Sequence, residues 1–107
     1  MSVKILTEGK GIRACIQGDI DHHSAFMIRK TVDSHISRRK PSLLILDFSQ
    51  VTFMDSSGIG LVMGRYKLMK SIGGEIRVEN LSAGAYRVMR LAGLERLGEI
   101  KQKETVG

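Results

Sequence analysis

Residues 54–60, Met54-Asp55-Ser56-Ser57-Gly58-Ile59-Gly60, place one carboxylate and two adjacent hydroxyls where an apolar stretch meets a helical pattern. Three chemistries suit that arrangement. An Asp or Ser side chain can accept a hydrogen bond from a free amide of the first helical turn and so cap it. A serine at a helix start can carry a phosphate, because unpaired amides and the positive end of the helix dipole tolerate the charge. A serine beside a general base can act as a nucleophile. The local residues leave capping and a regulated hydroxyl both open. Gly58, Gly60 and Gly64 lean away from pure capping, since each weakens a helix by up to about 1 kcal/mol relative to Ala. A bare helix start suits close approach by another backbone or tight internal packing.

The nucleophilic reading lacks partners. A nucleophile elbow needs Gly two residues before the serine, and that position is Met54. A base would have to be His22 or His23 reaching across the loop at Asp21, and no oxyanion arrangement is legible. The chain therefore reads as a non-enzyme with no catalytic residue. A dinucleotide fingerprint fails at Met63, where its third Gly would fall, and no Walker A lysine follows, so no cofactor is expected. His22 and His23 point about 100° apart on a helix and cannot easily chelate one metal without a third ligand. Asp19 and Asp21 stand nearby, but Asp21 reads as a helix cap and no metal site is expected. His35 reads as structural. Cys15, the only cysteine, has no disulfide partner and reads as a buried strand thiol.

Periodicity supplies the elements that position these groups. Residues 3–7 and 12–18 alternate as strands around a turn at Gly9-Lys10-Gly11, which predicts an antiparallel hairpin. The pattern breaks at Gly18-Asp19-Ile20-Asp21, where Asp21 is placed to cap a helix from His22. Ala25, Ile28, Val32 and Ile36 recur at helical spacing, and Arg38-Arg39-Lys40 before Pro41 ends the helix. Leu43-Leu44-Ile45-Leu46-Asp47-Phe48 is an apolar run broken only by Asp47 and predicts a strand buried on both faces. Ser49-Gln50 reads as a short turn into Val51-Thr52-Phe53-Met54. Ile59, Val62, Met63, Tyr66 and Met69 give the next helix its apolar face, and Gly73-Gly74 ends it. Residues 75–79 read as a strand. Ser82 caps a helix to about Ala92 with Tyr86, Met89 and Leu91 as its apolar contacts, and residues 97–100 read as a last strand. The order β-β-α-β-α-β-α-β predicts an α/β fold, a four- to five-stranded mixed sheet with an N-terminal antiparallel hairpin and packed helices. In parallel α/β sheets the strand-to-helix edge is where ligands and partners bind.

A chain of 107 residues suits one domain over residues 1–107, with residues 101–107 a short polar tail that frays. Trp is absent and aromatics are 5%, so the core must be aliphatic. The formal charge of +6 fits nucleic acid, a membrane surface or an acidic protein. The cations are scattered, no aromatics are interleaved to stack bases, and no nucleic-acid motif is present, so no direct nucleic-acid partner is expected. No signal peptide is legible, and the apolar run Ile59 to Gly64 is far too short to span a bilayer. The expectation is a cytoplasmic protein, away from membranes and monomeric on its own.

Together, two segments resemble a known family. Gly18-Asp19-Ile20-Asp21-His22-His23-Ser24-Ala25 is similar to the loop after the second strand of STAS domains. Val51 through Gly60 is similar to their phosphorylation loop, and the likeness continues through Gly64-Arg65-Tyr66-Lys67 and Ile72-Gly73-Gly74-Glu75. It is nearest to the branch that antagonises anti-sigma-F factors. The resemblance implies a STAS fold and an anti-sigma factor antagonist, acting in sporulation or related sigma-factor-dependent transcription. It implies that Ser56 is the phosphoacceptor and that the anti-sigma factor, an ATP-dependent serine kinase, is both kinase and partner. Unphosphorylated antagonist binds that kinase and frees the sigma factor. A PP2C-type phosphatase restores the phosphorylated form. Asp21 matches the loop Asp near the serine, and Asp55, Ser57, Gly58, Ile59 and Gly60 match the partner-binding surface. The alternative within the family is a STAS module of a stressosome or a transporter-associated complex.

Overall fold

The computed structural model describes residues 2–104. Strands β1 (Ser2–Glu8) and β2 (Gly11–Ile20) lead into helix α1 (His22–Arg39). Strand β3 (Leu43–Met54), helix α2 (Ser57–Ser71), strand β4 (Glu75–Leu81) and helix α3 (Ala83–Leu91) follow, then a 3₁₀ turn (Leu94–Arg96) and strand β5 (Glu99–Gln102). The five strands lie in the order β1-β2-β3-β4-β5. β1 pairs antiparallel with β2, and every later pair is parallel. The expected four- to five-stranded mixed sheet with an N-terminal antiparallel hairpin and packed helices is observed, with five strands and three helices.

This order never reverses. Right-handed crossovers that always step the same way put every helix on one face of the sheet. The core sits between that face and the helices: Ile12, Ala14 and Ile16 of β2, Leu44 and Leu46 of β3, and Val78 of β4 meet Ile28, Val32, Leu61, Met69 and Met89. The other face has no second layer. Leu43 to Phe48 nevertheless reads correctly as buried, for a different reason. Ile45 points to the open side, is 3% exposed and stands outside the main core cluster. Its neighbours in register are Arg13 and Arg77, whose alkyl stems are long enough to cover it. Cys15 shares this face and is half-buried, not enclosed in the core; burial pushes its thiol up.

Arg13 organises the open face. Its guanidinium meets Glu8 of β1, Asp47 of β3 at 2.8 Å and Glu79 of β4 at 3.0 Å, so one side chain on β2 ties together its own strand and three others. The hydrogen bond to Glu8 leads in holding its proton more tightly than usual. Burial alone would raise the Asp47 carboxyl. The Ser49 N–H at 2.9 Å, the Asn80 side-chain amide at 3.0 Å and Arg13 outweigh that and hold it below the usual carboxylate range.

Several expectations shift by a residue or a face. Ser49-Gln50 is no turn: β3 runs on through it with a bulge against β2, because Asp47 takes the Ser49 N–H inside the strand. β2 likewise continues through Gly18 and Asp19. On α2 the buried stripe is Gly58, Leu61, Val62, Arg65 and Met69, and Met63 is exposed. A glycine and an arginine in the stripe carry no apolar signal, which is why the pattern misplaces the face. Leu91 is 82% exposed, since two residues on from buried Met89 is the opposite side of a helix. The last strand lies at Glu99–Gln102, so Lys101 and Gln102 are sheet residues and not tail; residues 105–107 lie outside those described.

Between α1 and α2, Arg65 Nε lies 2.8 Å from Asp33 Oδ1, an ion-pair contact not aligned for a hydrogen bond, and Arg65 Nη1 is buried without a hydrogen-bond partner among the described residues. Burial pushes Asp33 up and Arg65 down, so desolvation outweighs their attraction. Removing Asp33 strands a buried cation, whereas removing Arg65 leaves a carboxylate that water can still reach. We expect Asp33→Ala to cost about 3 kcal/mol and Arg65→Met less than about 1 kcal/mol in urea unfolding; equal losses would contradict this reading. A second expectation concerns acid. A carboxyl whose folded value is depressed contributes stability above its unfolded value and loses it as pH falls through the folded one. Asp47→Asn should therefore flatten the decline in stability between about pH 4 and pH 2, and an acid limb as steep as that of the unaltered chain would place the titration elsewhere.

Candidate functional site

β2 and β3 are parallel neighbours whose last partners are Ile20 and Met54. Ending level, they launch α1 and α2 side by side from one edge of the sheet. The Asp55 N–H donates to the Ile20 carbonyl at 3.0 Å and fastens the two starts together. Because strand order does not reverse, this edge holds no switch-point crevice. Any recess at this edge lies between the two helices and not between diverging strands.

At α1, Asp21 Oδ1 accepts the Ser24 N–H at 2.8 Å, and Ser24 Oγ accepts the Asp21 N–H at 2.9 Å, a reciprocal capping box. Ser24 Oγ also donates to the Asp19 carbonyl at 2.8 Å. The Ser24 N–H, foremost, holds the Asp21 carboxyl below its ordinary value. Asp21 is thus committed to its helix, and among the described residues no hydrogen bond joins it to Ser56.

At α2 the structure decides between the Asp and the Ser that could cap it. Asp55 Oδ1 accepts the Ser57 N–H at 2.7 Å and the Asp55 carbonyl accepts the Gly58 N–H at 3.0 Å. The Ser56 carbonyl accepts the Ile59 N–H at 3.1 Å. Ser56 occupies the cap position, but its side chain makes no capping bond and is exposed. Asp55 does the capping and leaves the Ser56 hydroxyl uncommitted.

The glycines split between their two possible roles. A Cβ on Gly58 would lie 2.3 Å from Met54 Sδ, so Gly58 is buried packing. A Cβ on Gly60 or Gly64 would meet nothing within 4 Å, so these positions leave the outer side of α2 bare. Ile59 is half-buried against the core. Of the expected partner-binding residues, Ser57 and Gly60 line a groove of about 400 Å³ between the helix starts, opposite His22, His23, Phe26 and Arg29. Neither His22 nor His23 is hydrogen-bonded to Ser56 among the described residues.

Phe26, Arg29 and Phe53 were not singled out by sequence reasoning. Phe26 falls outside the buried stripe of α1 and is 54% exposed; Phe53, at the end of β3, is 57% exposed. An aromatic out of phase with its helix is the signal that could have found the first. Charge marks the same layer. α1 carries Arg29, Lys30, Arg38 and Arg39, α2 carries Arg65, Lys67 and Lys70, and α3 carries Arg87 and Arg90, against one helical acid, Asp33. No helix among the described residues is long and apolar enough to cross a membrane.

The STAS domain family model matches residues 13–106. The chain is 36% identical over 89 residues to the anti-sigma F factor antagonist of Paenibacillus polymyxa, covering 83% of this chain and 76% of that protein. It is 30% identical over 107 residues to the anti-sigma-B factor antagonist of Bacillus subtilis, covering 100% of this chain and 96% of that one. Among solved structures it is similar to the anti-sigma factor antagonist SpoIIAA in its unphosphorylated form, with TM-score 0.75, 25% identity and coverage of 97% and 90% of the two chains. The phosphorylated form of the Bacillus cell fate determinant SpoIIAA gives TM-score 0.73 at 26% identity, covering 92% and 90%. The chain belongs to the STAS-domain family.

The capping geometry makes a direct contrast. Asp55→Ala should cost about 1 kcal/mol by removing the cap, while Ser56→Ala should stay within about 0.5 kcal/mol. Thermal unfolding of both variants reads the difference, and a comparable loss at Ser56 would show its hydroxyl to be structural.

Proposed function

We propose that this STAS-domain protein is an anti-sigma factor antagonist whose exposed Ser56 hydroxyl is a phosphorylation switch. It binds an anti-sigma factor serine kinase when Ser56 is free, which releases the sigma factor, and lets go once Ser56 is phosphorylated. One observation carries the reading: Asp55 caps α2, so the hydroxyl beside it is exposed and has no structural duty. The names of the relatives, antagonists of anti-sigma factors, and the two forms in which SpoIIAA has been solved support it. The sigma-F relative favours a role in sporulation.

The chemistry belongs to the partner. The kinase transfers the γ-phosphoryl group of ATP: the Ser56 Oγ–P bond forms, the terminal phosphoanhydride bond breaks, ADP leaves and the hydroxyl proton passes to a base of the kinase. A PP2C-type phosphatase reverses the state by hydrolysis, with water supplying the oxygen of the released phosphate. Phosphate adds about −1.5 to −2 charge next to the Asp55 carboxylate. An interface that accepts a neutral hydroxyl then faces a desolvation cost and like-charge repulsion. A loss of about 2–3 kcal/mol weakens binding by roughly a hundredfold. Asp21 and Asp55 serve by holding the two helix starts in place, and Ser57, Gly58, Ile59 and Gly60 build the surface around Ser56. The cycle runs in the cytoplasm, with this chain a monomer between partners.

The test mixes the protein with an anti-sigma factor serine kinase from the same organism and Mg-ATP, then measures intact mass and maps the site. We expect one phosphate, on Ser56, and none on Ser56→Ala. Ser56→Ala should hold the kinase with or without ATP, and Ser56→Asp should bind about a hundredfold more weakly. Equal binding by the two variants would sink the switch.

A further inference from the structure

We infer that the groove between the starts of α1 and α2 receives an acidic, partly apolar segment of a protein partner, with Phe26 as apolar anchor and Arg29 as carboxylate receptor. The inference rests on the partner-binding reading above and extends it by naming the chemistry of what docks.

The anchor comes first. Phe26 is 54% exposed on the groove wall, and the Arg29 guanidinium lies 5.4 Å from its ring centroid. A guanidinium over an aromatic face is held in orientation while its N–H edges stay free, the geometry that takes a carboxylate by two parallel hydrogen bonds. Arg29 makes no ion pair among the described residues, and Asp33, one turn along α1, is engaged by Arg65. Exposed Phe and Arg side chains side by side match the residue types enriched at protein interfaces.

The field around the groove selects the sign of the partner. Nine Lys and Arg side chains lie on the helices against a single helical acid, with the cap carboxylates Asp21 and Asp55 at the helix starts, whereas the strands hold four cations and six acids. The excess positive charge of the chain therefore lies on the helix layer. An acidic surface approaching from that side is accelerated and oriented. A protein segment uses both halves of the site, the cation and the ring. A nucleic-acid backbone uses only the cations, and here they fall into separate groups, Arg29-Lys30 at the middle of α1 and Arg38-Arg39 at its end.

The test is an NMR titration of the unphosphorylated full chain. The probes are a short synthetic Glu/Leu amphipathic peptide, its Lys/Leu counterpart and a short DNA duplex. We expect the Glu/Leu peptide alone to move the amides of Phe26, Arg29 and Gly60 to saturation. Arg29→Glu and Phe26→Ala, both at exposed positions and checked for native-like spectra, should each weaken it by about tenfold. Added salt should weaken the unaltered chain more than Arg29→Glu. Unchanged affinity in either variant, shifts centred elsewhere, or DNA binding as tightly at these residues would overturn the inference. The titration does not involve Ser56. A chain that takes the peptide but no phosphate fails the switch alone, and one that is phosphorylated but ignores the peptide fails the groove alone.

Discussion

Everything at the functional edge depends on β2 and β3 being parallel neighbours that stop at the same level. Ile20 pairs with Met54, and the next residue, Asp55, still donates its amide back to the Ile20 carbonyl. That register fixes where two helices begin. Each start then needs its own cap, because the first amides of a helix have no partner within it. Asp21 and Asp55 supply the caps from equivalent places, one after each strand. A slip of one residue in this pairing would turn the side chains of a strand to the other face and carry the helix starts with them.

The monotonic strand order has a cost that the sequence must meet elsewhere. With all helices on one face, a mostly parallel sheet is left half uncovered, although such sheets are ordinarily buried on both sides. The chain answers with charge in place of a second layer. Arg13 reaches carboxylates on three other strands, and it shares Asp47 with Ser49 and Asn80. Opposite charges are interspersed on the strands, four cations with six acids, so no positive field builds up there. The helix layer has no such balance. Segregating charge this way keeps the sheet face self-contained and leaves the helix side to meet a partner.

Much of this was legible from the residues. Alternation over 12–18, the apolar spacing of Ile28, Val32 and Ile36, and the stops at Pro41 and Gly73 are local signals, and local signals survive folding. The capping role of Asp21 was likewise plain. Signals failed where a tertiary partner decides. Nothing local separates Asp55 from Ser56 as the cap of α2; the choice depends on Ser56 already having helical backbone angles, φ −61° and ψ −17°. The buried face of α2 is hidden because Gly58 is there for Met54 and Arg65 for Asp33. Ser49-Gln50 looks like a turn until Asp47 is seen to take the Ser49 amide within the strand. The groove could not be read at all, since it is made by two helices whose separation no single segment records.

Division of labour at α2 would let a surface serine carry the proposed signal without endangering the fold. If Ser56 were the cap, modifying its oxygen would change helix stability and binding together, and neither state could be tuned alone. With Asp55 holding the first turn, a phosphate on the next residue meets water on one side and the positive helix end on the other. Its effect falls on whatever docks there. The caps belong to the stability of the domain, and in the proposed switch the free hydroxyl belongs to its affinity for a partner. Adjacent residues in one short loop thus serve separate equilibria, and the register of β2 against β3 keeps them in place for both.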